Sequence, residues 1–204
     1  MDETAAHFDL LPLQAPPQPT LSLPRAEPRV WPTDPATEVF TDLRVAPGVT
    51  VPATDSLEDT RRLMQLAGVR MAFVVDAGER IIGLATLADL QGERAAQVAA
   101  ARALPQRDLP VLDVMTPVAQ WLVIDAGCLA WAKVGHVVAT LRASGQRYLV
   151  VTEQATAHAA GAQPQAVVRG VFSANRIERA TGEPIKDPLR SRSFAELAGA
   201  IGER

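Results

Sequence analysis

Two stretches of this chain lie over one another residue by residue: GVRMAFVVD from Gly68 and GQRYLVVTE from Gly145. Arg70 then faces Arg147, and Asp76 faces Glu153. Each stretch is a β-prone run that follows a helix ending on the glycine. Each leads to a second strand carrying a glycine of its own, Gly83 in RIIGLAT and Gly170 in VVRGVFS. A half of this kind has an apolar sheet face that it cannot bury alone. Two copies can bury it against each other. The repeat therefore predicts one domain of two similar halves, or two small domains sharing a core.

The punctuation between the repeats sets the order of elements. VTVPAT, from Val49, is a short strand, and DSLEDTRRLMQLAG is a helix capped by Ser56 or Asp55 and ended by Gly68. MAFVVD and RIIGLAT are strands joined by AGER, and LADLQGERAAQVAAARAL is a helix broken near Gly92. After LPVLDVMTP the order returns. QWLVID is a strand, and AWAKVGHVVATLRASG is a helix with Val134, Val137, Val138 and Leu141 on one face. RYLVVTE, a polar alanine-rich loop, AVVRGVFS and ANRIERATG complete the unit. Strand, helix, strand, strand, helix, twice over, is an α+β fold.

Nine of the sixteen prolines fall before residue 48, which favours extended chain over helix or central strand. The expected organisation is a proline-rich arm over residues 1–40, repeats over 41–104 and 105–183, and a tail over 184–204 with a short helix. Leu10, Leu11, Leu13, Trp31 and Phe40 are apolar enough for much of the arm to pack on a folded surface. A net charge of −3 argues against a nucleic-acid binder, which needs a clustered basic face. No apolar run is long enough to span a membrane, and the acidic start is not a secretory signal. A single cysteine, Cys128, forms no internal disulfide, and no Cys/His cluster has zinc spacing. The expectation is a cytoplasmic protein with no bound metal.

The tandem units, the DVMTP that opens the second, and the Gly83-x-x-Thr86-x-x-Asp89 that ends the first resemble a CBS-domain pair, or Bateman module. The resemblance spans roughly residues 41–182. It implies repeats packed with pseudo-two-fold symmetry, two clefts between their sheets, and an adenosine-containing ligand: AMP, ADP, ATP or S-adenosylmethionine. It also implies a regulatory role toward a partner protein not identified by the sequence, and frequent pairing into dimers; a homodimer is expected here.

For the residues of IIGLATLADL the resemblance and local physics offer different roles. Thr86 and Asp89 have the spacing of a helix cap, a hydroxyl with an acid one turn on. An ionised carboxylate is also an acceptor only, suited to the two hydroxyls of a ribose. The resemblance gives the ribose to Asp89 and the ribose or phosphate to Thr86. It places the adenine near Val51, Ala53 and Met71. Gly83 permits either close ligand approach or close packing. In the second repeat Gly170 and Ser173 keep the glycine and hydroxyl, but Arg176 replaces the acid. A guanidinium cannot accept from a diol, so this half reads as a defective nucleoside site. Arg176 is solvated, pairs with a carboxylate such as Asp89, or reaches a phosphate. Arg70 and Arg147 are further phosphate candidates.

Two rival classes of function draw on the same sequence. A Cys128–His136 nucleophile would need the two side chains to meet with an acid to orient them, and no acid is so placed. An interaction module whose clefts stay unfilled is the alternative to a sensor. The reading is of a non-catalytic module.

Overall fold

The computed structural model describes residues 29–154 and 166–185. The strands are β1 (Phe40–Asp42), β2 (Thr50–Pro52), β3 (Met71–Val75), β4 (Ile81–Thr86), β5 (Thr116–Pro117), β6 (Val123–Asp125), β7 (Tyr148–Gln154) and β8 (Ala166–Ser173). The helices are α1 (Leu57–Leu66), α2 (Leu87–Gln91), α3 (Glu93–Arg102), α4 (Val134–Ser144) and α5 (Ala174–Thr181). Short 3-10 turns link several of them.

Local chemistry accounts for most boundaries. Ser56 caps α1 by accepting from the Asp59 N–H at 3.1 Å, and Glu58 and Asp59 sit at the positive end of the helix. Gly68 and Gly145 take left-handed φ values of 67° and 65° after α1 and α4, where a side chain would be strained. Gly92, with extended backbone, separates α2 from α3.

The strands form two four-stranded sheets, ordered β2-β3-β4-β5 and β1-β8-β7-β6. Each half hands its leading strand to the other. β1 pairs antiparallel with β8, and β5 pairs antiparallel with β4. The central strands are apolar on both faces, as a sheet covered on both sides requires. Ala72 and Val74 face the helices of the first half, while Phe73 and Leu84 face the other sheet, meeting Val150 and Val171. Leu149, Val151 and Phe172 face the helices of the second half. There are thus three hydrophobic layers, one inside each half and one between the sheets.

The segment before each leading strand is also repeated. In the first half Leu57 N–H donates to Leu109 O (2.8 Å) and Val111 N–H to Asp55 O (2.8 Å). In the second, Val134 N–H donates to Asp34 O (2.9 Å) and Ala36 N–H to Ala132 O (2.9 Å). Isolated bridges join Ser56 to Pro110 and Lys133 to Pro35. PATEVFT, from Pro35, therefore does on the second half what PVLDVMT, from Pro110, does on the first. Residues 35–40, which proline density assigns to the arm, sit against the second half, with Ala36 and Val39 wholly buried. Residues 29–34 follow the same surface, where Val30 N–H donates to Ala180 O and Gly135 N–H donates to Pro32 O. The rest of the arm, residues 155–165 with the loop expected there, and the expected tail helix lie outside the described residues. Val134, Val137 and Leu141 belong to the core of the second half. Among the described residues, no helix is long and apolar enough to cross a membrane.

Candidate functional site

Exchange of the leading strands leaves a cleft at each end of the sheet interface. Each cleft draws its helix start from one repeat and its leading segment from the other. The smaller, about 220 Å³, is lined by Thr86 and Asp89 of the first repeat and by Thr116, Trp121, Arg147 and Tyr148 of the second. The larger, about 600 Å³, is lined by Thr41, Arg70 and Met71 of the first and by Ser173, Arg176 and Arg179 of the second, among others. Tyr148 borders both. Burial pushes its phenol pKa above the ordinary value, against the opposing pull of the Arg70 and Arg147 charges.

The clefts differ in one matching lining position. Val51 pairs with Val74, and Ile124 pairs with Val151 at the matching place in the other sheet. Counting back from those pairs, Gly48 in the larger cleft stands where Trp121 stands in the smaller. Trp121 is fixed there, its Nε1–H donating to Thr116 O at 3.1 Å and its ring tilted against Phe73 with centroids 6.1 Å apart.

In the smaller cleft Thr86 and Asp89 form a complete capping box on α2. The Asp89 N–H donates to Thr86 Oγ1 at 3.2 Å, and Asp89 Oδ2 accepts from the Thr86 N–H at 2.8 Å and hydroxyl at 2.7 Å. Capping thus occupies one carboxylate oxygen. Asp89 Oδ1 has no protein partner among the described residues, and the half-buried side chain borders the cleft.

In the larger cleft Ser173 is the N-cap of α5 but its side chain makes no cap hydrogen bond. Glu178 is clamped by Arg147, with Nη1 to Oε1 and Nη2 to Oε2 both at 3.1 Å, and it also accepts from the Ile185 N–H at 2.9 Å. Partial burial raises the pKa of this carboxyl, but those bonds outweigh it and leave the group below the usual carboxylate range. Arg147 Nη2 also donates to Asn175 Oδ1 at 2.7 Å. Arg176 is exposed and forms no ion pair among the described residues. It lines one cleft and Asp89 the other, which separates a pair that the sequence left open.

The ten residues expected to bind ligand are therefore distributed between two places and the core. Thr86, Asp89 and Arg147 meet in the smaller cleft. Arg70, Met71, Ser173 and Arg176 meet in the larger. Val51 is wholly buried in the first half's core, and Ala53 packs against that core, so neither lines either cleft. Gly83 is covered by Met115 and Thr116 of the exchanged β5, and backbone approach there is by protein. Trp121, Thr116 and Thr41 are cleft residues that sequence reading did not reach. The match of Pro35–Thr41 to Pro110–Thr116 was the available signal, since it makes the two threonines equivalent.

Residues 40–95 match the family model of the CBS domain. No curated protein matches the sequence. Among solved structures, an uncharacterized conserved protein from Pyrococcus horikoshii is 15% identical with a TM-score of 0.51, covering 76% of this chain and 97% of its own. A CBS-domain containing protein from Agrobacterium tumefaciens is 15% identical, with a TM-score of 0.47 and coverage of 68% and 88%. CBSX2 from Arabidopsis thaliana, in complex with AMP, is 17% identical, with a TM-score of 0.45 and coverage of 72% and 95%. At such identities the likeness concerns the fold. Residues 40–95 are thus similar to a CBS domain, and that segment lies in the first of two repeats of the same α+β order.

Proposed function

We propose that the protein is a non-catalytic regulatory module that binds an adenosine-containing ligand, an adenine nucleotide or S-adenosylmethionine, in the cleft holding Asp89. The carrying observation is the one-sided engagement of that carboxylate: Oδ2 holds the cap, and Oδ1 is left for a ligand. An acceptor-only oxygen suits a ribose hydroxyl. The indole of Trp121, already fixed by its own hydrogen bond, offers a flat face for a base. His136 engages the start of its own helix, α4, its Nδ1 accepting from the Lys133 N–H at 3.0 Å. Occupancy reaches a partner protein if the ligand favours one arrangement of the halves or of two subunits. The same reading takes the protein as a cytoplasmic homodimer, with exposed Leu63 and Leu66 of α1 at the contact.

AMP and adenosine are the first probes for calorimetry on the full chain. Asp89→Asn is expected to weaken their binding by about 1.5–3 kcal/mol, the range for a hydrogen bond to a charged group. Equal affinity in wild type and variant would remove this carboxylate from the site. No binding of any adenosine compound would leave the protein as a ligand-free interaction module.

A further inference from the structure

The larger cleft answers to a different chemistry from the smaller, and we infer that it is a second site, for a polyanion carrying two or more linked phosphates, held by Arg70, Arg176 and Arg179 without recognition of a sugar. Its volume of about 600 Å³ lies in the range of small-molecule sites. Three guanidinium groups line it. Arg70 and Arg176 form no ion pair among the described residues, and Arg179 donates only to its own helix, at Asn175 O, 3.4 Å away. The single carboxylate on the wall is Glu178, and both of its oxygens already face Arg147. The wall therefore carries three positive charges with no ion-pair partner among the described residues.

Polar donors complete the surface. The Ser173 hydroxyl is not engaged in capping and lies within hydrogen-bonding reach of the Tyr148 phenol, and Asn175, whose Oδ1 accepts from Arg147, has its amide N–H groups left to donate. What the cleft lacks is an acceptor for a diol. Arg176 occupies the place that Asp89 holds in the other repeat, and a guanidinium is all donors. Planar N–H forks match phosphate oxygens in pairs, and several arginines on one wall suit a chain of phosphates better than a single one. Selection then rests on charge and spacing, and a nucleoside triphosphate and inorganic tripolyphosphate share the recognised part.

This inference does not require Asp89 to hold a ribose, and the test keeps the two apart. The full chain, in phosphate-free buffer, is titrated by calorimetry with inorganic tripolyphosphate, ATP and adenosine at low and physiological salt. Tripolyphosphate is expected to bind one per chain, with affinity falling as salt rises because the arginines are exposed. Arg70→Gln and Arg176→Gln should each weaken it about tenfold, the scale of one charge-assisted contact. Asp89→Asn should leave it unchanged, and circular dichroism should show each variant folded. Should tripolyphosphate bind while adenosine does not, the polyanion site stands and the ribose reading falls. Absence of tripolyphosphate binding, unchanged affinity in folded Arg176→Gln, or displacement of tripolyphosphate by adenosine alone would overturn the polyanion site.

Discussion

A Cβ added to Gly83 would lie 2.5 Å from Met115 Sδ and 2.8 Å from the Thr116 carbonyl oxygen. One added to Gly170 would meet the Phe40 ring and the Thr41 carbonyl oxygen more closely still. Both neighbours come from the leading strand of the other repeat, so these glycines keep the exchanged strands in register. Each also faces a bulge, between Val74 and Val75 and between Val151 and Thr152. The two sites differ in what can give way. Met115 is flexible and can move its thioether, whereas the Phe40 ring is wedged against Phe172, with centroids 5.1 Å apart. Gly83→Ala is therefore expected to cost about 1–2 kcal/mol, and Gly170→Ala about 3 kcal/mol or more, as overpacking does. Urea denaturation of both variants checks the ranking; equal costs would mean that the exchanged strands adjust alike.

At the scale of elements, the arm divides at a place that composition does not mark. Residues 35–40 bury Ala36, Val39 and Phe40 in the second half, and the Pro32 and Asp34 carbonyls and the Ala36 amide partner α4 and its approach. Deleting residues 1–20 should leave ligand affinity unchanged, because their proline density reads as an added arm and not as a component of the sheets. Deleting residues 1–40 should destabilise the second half severely, since Phe40, the first residue of β1, and the buried Ala36 and Val39 go with them. Thermal denaturation and calorimetry on the two truncations distinguish the cases. Helices and strands were legible because their periodicities, caps and terminal glycines are local: Ser56, Gly68, Gly92 and Gly145 all stand where they end or start an element. Strand exchange was not, because pairing β1 with β8 and β5 with β4 depends on contacts far apart in sequence. The candidate site suffered from the same cause. Asp89 and Thr86 were readable from a motif, but their cleft-mates Trp121 and Tyr148 come from the other repeat. Met71, which the resemblance put near the adenine of a ligand held by Asp89, lines the opposite cleft.

For the whole molecule, exchange makes each half incomplete without the other. The first sheet ends on β5, and the second begins with β1, so a cut at residue 104 removes an edge strand from both. It also strips the first half's core of Leu109, Val111 and Val114, all fully buried and all from the segment that leads into the second repeat. The layer of Phe73, Leu84, Val150 and Val171 between the sheets would become exposed on both pieces. Burial of that layer and of the exchanged strands is available only to the joined chain, so unfolding should be a single cooperative event. Far-ultraviolet circular dichroism and tryptophan fluorescence, the latter weighted toward Trp121 at the interface and Trp131 on the second half, are expected to follow coincident urea transitions. Residues 41–104 and 105–183, expressed separately, should each lack a cooperative transition. Mixing them should restore one in part, because the fragments still carry each other's leading strands except for the residues before 41. Two resolved transitions in the intact chain, or a cooperatively folded 41–104 fragment, would show that the halves are stable without exchange.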